Sequence, residues 1–259
     1  MIRVIDISKS FDGHKVLDHI SVDFMDGQVN MIIGQSGSGK TVLLKSLLGI
    51  HQVDEGSICY DDRNFSTMSE SERHALRREV GMLFQGAALF DSLSVVENVL
   101  FPLQMFSDFT ESQMLKRAQF CLDRVEMPAH TFDLMPSEIS GGQQKRVAIA
   151  RAIALNPKYL FCDEPNSGLD PQTSLVIDAL IRDITREYKM CTVVNSHDMN
   201  SIMEIGDNIL FLKNGKKEWQ GSRHEIIHST NQALNDFVFA SDLFKKVKAA
   251  TLHTIDSSK

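Results

Sequence analysis

Gly34-Gln35-Ser36-Gly37-Ser38-Gly39-Lys40-Thr41 reads G-x-x-x-x-G-K-[ST], the phosphate-binding loop pattern. The apolar run Val29-Asn30-Met31-Ile32-Ile33 precedes it, and Val42 to Leu48 follows with helical spacing. The motif requires that strand–loop–helix setting; a chance Gly/Ser turn would lack it. Glycines let the backbone turn so that several N–H groups converge on a polyphosphate, and the helix N-terminus adds its positive dipole end. Lys40 can reach the β/γ-phosphates, and the Thr41 hydroxyl can hold Mg²⁺. The stretch implies a nucleoside triphosphate site on an α/β scaffold.

Composition narrows the setting. The 259 residues are 42% hydrophobic and 24% charged, as in an ordinary globular protein with a full core. A net charge of −7 argues against a general nucleic-acid binder, which would carry a basic stripe. No apolar run approaches bilayer length, and Met1-Ile2-Arg3-Val4-Ile5 enters a strand pattern without signal-peptide anatomy. A cytosolic chain is expected. Cys59, Cys121, Cys162 and Cys191 form no C-x-x-C pair, which favours buried reduced thiols over a metal or redox site.

Outward from the loop, Ile2 to Ile7 and Val16 to Phe24 read as strands, with turns at Asp12-Gly13 and Asp26-Gly27. An antiparallel β layer ahead of the loop is expected. Phe11, at the first turn, could stack on a purine base or be a plain core residue. Gly56 to Tyr60 is a short strand, and Glu79 to Phe84 another that ends at Gln85. A polar residue at such a strand end lies near the ligand crevice of an α/β fold.

From Ser94 the character changes. Ser94-Val95-Val96-Glu97 and Thr110-Glu111-Ser112-Gln113 are capping-box patterns, and no strand appears before Pro136. This predicts a helical insertion bearing Phe101, Met105, Phe106, Phe109, Met114, Phe120, Met127 and Met135, either core or an adaptable docking face. Ser140-Gly141-Gly142-Gln143 then opens an Ala-rich helix, as a second anion site or as a cap alone.

Tyr159 to Cys162 is an apolar strand ending in Asp163-Glu164. Beside a phosphate loop, the first carboxylate suits Mg²⁺ held through water and the second suits orienting an attacking water. Ser167-Gly168-Leu169-Asp170 is a tight turn, with Pro171 at the first helical position. Thr192 to Asn195 is a buried strand with His197 just beyond its end. Ile209 to Leu212, Asn214-Gly215 and Lys216 to Trp219 form a hairpin, and helical pattern resumes at Ser222.

In this order the stretches resemble the ATP-binding subunit of an ABC transporter, over roughly Ile2 to Gly221. The resemblance implies a P-loop NTPase (RecA-like) core with an N-terminal antiparallel β layer and a helical insertion, the ABC ATPase fold. The ATPase domain would span 1–221, with the insertion at about 94–155 and a C-terminal helical extension at 222–259. Gly34 to Thr41 matches Walker A, Gln85 the Q-loop and Ser140 to Gln143 the signature. Asp163-Glu164 matches the end of Walker B, Ser167 to Asp170 the D-loop and His197 the switch histidine. Phe11 falls where the family places its adenine-stacking aromatic. Three positions depart: Phe11 for the usual Tyr, Ile139 for Leu, and Asn166 where Thr or Ser is common.

What the resemblance implies is an ATPase using ATP and Mg²⁺. Gly34, Gln35, Ser36, Gly37, Ser38, Gly39, Lys40 and Thr41 would hold the nucleotide, facing Ser140, Gly141, Gly142 and Gln143 of a second copy. Thr41, Gln85 and Asp163 would complete the metal shell. Glu164 would polarise water and His197 hold the γ-phosphate, with Gln85 and Lys40 assisting. Expected partners are a second copy and integral-membrane permease subunits at the cytoplasmic face of the inner membrane, with no nucleic acid. The stretch Gly81 to Leu93 looks more narrowly like the ATPase of MCE-type (Mla-like) phospholipid transport systems. A soluble ABC protein of ribosomes or DNA would usually show a second phosphate loop, and a small-molecule kinase would not need Ser140 to Gln143 or His197. The apolar positions Leu234, Phe237, Val238, Leu243, Phe244 and Val247 suggest a C-terminal stripe that packs on its own domain or bridges to the second copy.

Overall fold

The computed structural model describes residues 1–240 together with 245, 246 and 248. The first third of the chain runs β1 (Ile2–Phe11), β2 (His14–Phe24), β3 (Val29–Ile33), α1 (Lys40–Leu47), β4 (Glu55–Tyr60), β5 (Arg63–Asn64) and α2 (Glu70–Arg78). Next come β6 (Val80–Leu83), α3 (Val95–Phe106), α4 (Glu111–Arg124), α5 (Gly141–Ile153), β7 (Tyr159–Asp163) and α6 (Pro171–Tyr188). The last are β8 (Cys191–Asn195), α7 (Met199–Ile205), β9 (Asn208–Lys213), β10 (Lys216–Gly221), α8 (Arg223–His228) and α9 (Gln232–Val238). They form two compact units, the first built from Met1–Phe24, Asn30–Ser66 and the described residues from Asn195 onward. The second comprises Met25–Val29 and Thr67–Val194.

The first unit holds the expected antiparallel layer, in the order β2-β1-β4-β5. Asp12 and Gly13 both take positive φ, 49° and 78°, the mirror-image turn that suits the twist of a hairpin. Asn214 and Gly215 repeat the device between β9 and β10, at 51° and 75°. β3 pairs in parallel with β9 from Asn30↔Asn208 to Ile33↔Phe211. All five residues of β3 are buried, the continuous apolar reading of a strand covered on both faces. Truncating Ile32 there to alanine would cost about 2–5 kcal/mol in lost transfer and cavity terms.

On α9, Leu234 and Val238 are buried, and Phe237 stacks on Phe211 with ring centroids 5.2 Å apart. That part of the C-terminal stripe covers its own unit. Leu243, Phe244 and Val247 lie outside the described residues.

In the second unit β6 pairs in parallel with β7, from Val80↔Tyr159 to Leu83↔Cys162. Both capping boxes expected in the insertion form: Ser94 with Glu97 opens α3, and Thr110 with Gln113 opens α4. Of the aromatic and Met residues there, Met127 is buried, whereas Met105, Phe109, Phe120 and Met135 are exposed. Cys121, Cys162 and Cys191 are buried free thiols and Cys59 is half-buried. Desolvation pushes the Cys121 thiol up to about 11, far from a reactive thiolate.

Candidate functional site

The first unit supplies the phosphate loop. As β3 ends, Gly34 turns the chain at φ 151°, and a Cβ there would lie 2.3 Å from the Leu212 carbonyl oxygen. At Gly39, φ 102°, a Cβ would lie 2.9 Å from the Val16 carbonyl oxygen. Neither position has room for a side chain, so the spacing G-x-x-x-x-G is enforced by the strands around it. Lys40 begins α1, is 8% exposed, and donates through Nζ to the carbonyls of Gly34 at 2.8 Å and Gln35 at 3.1 Å. Ser38 Oγ is buried and makes no hydrogen bond, an orphan polar atom inside the loop that a phosphate oxygen would satisfy.

The loop after β8 is tied to the same place. Asn195 Nδ2 lies 3.5 Å from Thr41 Oγ1, and the Ser196 N–H donates to the Ile32 carbonyl at 3.2 Å. His197 follows and is exposed, and Asp198 caps α7 by accepting from the Asn200 N–H at 2.9 Å. This unit therefore brings together the phosphate loop and the segment carrying His197. Phe11 is no core residue: it is 39% exposed, meets the His51 ring edge-on at 5.1 Å, and has Lys9 Nζ 5.3 Å from its centroid.

The second unit supplies the carboxylates, the Q-loop and the signature. Asp163 ends β7 half-buried, and Glu164 follows at φ 47°, its carbonyl accepting from the Ser167 N–H at 3.1 Å. Gln85 Nε2 donates to Ser167 Oγ at 3.1 Å, which joins the Q-loop to the D-loop. Asp170 caps α6 through the Thr173 N–H at 3.0 Å and hydroxyl at 2.5 Å, and the hydroxyl's bond most of all holds the Asp170 carboxyl below its ordinary range. Ser140 caps α5 in a reciprocal pair with Gln143, so two signature residues also serve as the helix cap. A cleft of about 630 Å³ is lined by Ser140 to Gln143, Arg146, Leu169, Asp170 and Thr173. A Cβ on Gly142 would sit 2.7 Å from Thr173 Cγ2, so the signature packs closely on the first turn of α6.

Taken by their chemistry alone, the residues that the resemblance names for Mg²⁺ suit that ion. Thr41 offers a hydroxyl, Asp163 a carboxylate and Gln85 an amide oxygen, all hard ligands. No cluster of three or more His, Cys, Asp or Glu able to hold a metal exists among the described residues. An ion held partly by nucleotide phosphates needs no such cage.

Sequence reading missed Lys145 and Arg151, whose side chains bind carbonyls of the Q-loop segment. The available signal was a lysine in register with the buried Ile149 one turn on.

Among known proteins, a methionine import ATP-binding protein, MetN, of Clostridium tetani is 40% identical over 232 residues, 87% of this chain and 70% of the relative. The MetN of Clostridioides difficile is 34% identical over 238 residues, 92% of this chain and 74% of the relative. A dimeric post-hydrolysis state of the ATP-binding cassette MJ0796, bound to ADP and Pi, superposes with a TM-score of 0.78 at 30% identity, covering 86% of this chain and 99% of that one.

These relatives correct the narrower resemblance of Gly81 to Leu93 to MCE-type phospholipid systems: they are named for methionine import. Lys145 and Arg151 hold the carbonyls of that stretch at Gln85, Ala87 and Ala88, and Asn98 holds the Phe90 backbone.

The ABC transporter family pattern matches residues 17–167, from within β2 through both carboxylates. The chain belongs to the ABC transporter family, as an ATP-hydrolysing subunit that works with ATP and Mg²⁺.

Proposed function

We propose that this chain powers import of an amino acid of the methionine class through separate membrane subunits. The observation that supports this is the run of methionine-import relatives matched over most of the chain at 34–40% identity. No helix among the described residues is long and apolar enough to cross a membrane, so translocation falls to other chains. We place the subunit at the cytoplasmic face of the inner membrane, held there by its permease.

In this reading two copies close head to tail on two ATP molecules, as the dimeric neighbour suggests. The backbone N–H groups of Gly34 to Thr41 cradle the phosphates, and Lys40 exchanges its bonds to Gly34 and Gln35 for phosphate oxygens. Thr41, Asp163 and Gln85 would hold Mg²⁺, which would supply positive charge against the phosphates. Glu164 orients the attacking water, His197 holds the γ-phosphate, and the partner's signature closes the site. Phe11 stacks on the base. Positioning and fixed charge do the chemistry. Closure on ATP and opening after hydrolysis give the permease a two-state signal.

The test is reconstitution with the co-purifying membrane subunits in proteoliposomes. Methionine is expected to stimulate ATPase activity, and Glu164→Gln to abolish turnover while ATP still binds. Stimulation by an unrelated solute and none by methionine would remove the substrate assignment. Turnover undiminished in Glu164→Gln would remove the role of Glu164.

A further inference from the structure

The helix that begins with the signature reaches the Q-loop with two cations. Lys145 is 4% exposed, and its ammonium donates to the carbonyl of Gln85 and, at 3.5 Å, to that of Phe84. Burial pulls this ammonium below the ordinary lysine range, while the nearby Cys162 and Asp163 favour its charge. Less than two turns on, Arg151 donates to the carbonyls of Ala87 at 2.9 Å and Ala88 at 2.7 Å. Both alanines lie in the left-handed region, at φ 61° and 49°. Non-glycine residues persist there only where the surroundings hold them. The four carbonyls of one loop converge on one helix, and Gln85 sits among them with its amide on Ser167 Oγ at 3.1 Å.

An ammonium is a costly way to fill a core position, since a buried charge must be matched by fixed dipoles. A methionine would fill the same volume without that cost. What only the ammonium does is fix the Gln85 carbonyl.

We propose that Lys145 is a positioning residue for ATP hydrolysis: from the signature helix it sets the backbone of Gln85, so that the seating of Ser140-Gly141-Gly142 and the placing of the Gln85 amide are one event. This rests on the reading of Gln85 as part of the hydrolytic site. Lys145 itself touches no reacting atom; it acts through Gln85.

The experiment measures kcat and KM for ATP in the subunit assembled with its membrane partners. The variants are Lys145→Met, Lys145→Arg, Gln85→Ala and the pair Lys145→Met/Gln85→Ala. Lys145→Met is expected to lower kcat on the order of ten- to a hundredfold, as a misplacement of about an ångström does. KM should change less than kcat, since in this reading the grip on the nucleotide comes mainly from Gly34 to Thr41. Lys145→Arg should restore most of the rate, and the double variant should be no slower than Gln85→Ala alone. A loss in the double variant equal to the two single losses combined would overturn the proposal, as would full turnover in Lys145→Met. Undiminished turnover in Gln85→Ala would instead overturn the reading beneath it. If Lys145→Met does not assemble, Lys145→Gln, a polar side chain one atom too short to keep the bond to the Gln85 carbonyl, is judged by the same criteria.

Discussion

Asn166 Nδ2 donates to Asp178 Oδ1 at 2.8 Å, and Asp178 on α6 is 2% exposed. The residue before the D-loop thus hydrogen-bonds a deeply buried carboxyl. A serine or threonine at that place would carry a shorter donor, so the amide that departs from the family pattern has a local reason. Asn166→Ala is expected to destabilise the subunit by about 1–3 kcal/mol, the usual cost of depriving a buried acceptor of a donor. Asn166→Asp should cost more, because it sets a second carboxyl against the first. Urea denaturation measures both, and no loss in either variant would show the bond to be dispensable.

Phe11 has its ring half in solvent, with Lys9 beside it and His51 against its edge. Stacking reads no hydrogen-bonding edge of a base, so ATP and GTP should bind with similar affinity. Phe11→Ala should weaken both by roughly two- to tenfold, the equivalent of about 0.5–1.5 kcal/mol of stacking. Titration with each nucleotide checks this, and a loss confined to ATP would point to a polar contact elsewhere.

Glu97 accepts the Ser94 N–H at 2.7 Å, and that bond first, with the Ser94 hydroxyl second, holds its carboxyl below the ordinary glutamate range. A depressed folded value means the unfolded chain takes up the proton first. The stabilisation is therefore complete above about pH 4.5 and is lost as the pH falls through the folded value. Glu97→Gln should lower the melting temperature at pH 7, and the gap to the unsubstituted chain should close below pH 4.5. A gap that stays constant down to pH 3 would mean the carboxylate charge contributes nothing to this cap.

Phe90 is 41% exposed, with its ring 4.6 Å from that of Phe101 and 5.8 Å from the Arg151 guanidinium. Phe90→Glu would place a carboxylate near that cation, so the isolated subunit should keep its fold. Co-purification of the membrane subunits should fail if this exposed ring is part of their docking face. Unimpaired co-purification would move the docking face elsewhere.

What sequence alone revealed was local in origin. The phosphate loop could be read because its glycines stand where strands leave no space for a Cβ, and the boxes at Ser94 and Thr110 because their bonds span only three residues. The grip of Lys145 on Gln85 and of Arg151 on Ala87 and Ala88 joins positions about sixty apart and leaves no spacing to detect. Leu234 and Val238 illustrate the remaining difficulty: helical spacing marks an apolar face without saying what covers it, and the cover is the unit's own sheet side.

Glu164 holds φ 47°, a backbone shape that asparagine adopts with ease and glutamate does not. The fold would accept Glu164→Asn gladly, with a gain of up to about 1 kcal/mol, and on the role proposed for Glu164 the shorter amide would leave the attacking water unoriented. Heat resistance and turnover pull against each other at this one position. A lineage selected for thermal endurance alone would drift here toward a sturdier and silent enzyme, and the glutamate persists only while work is demanded of it.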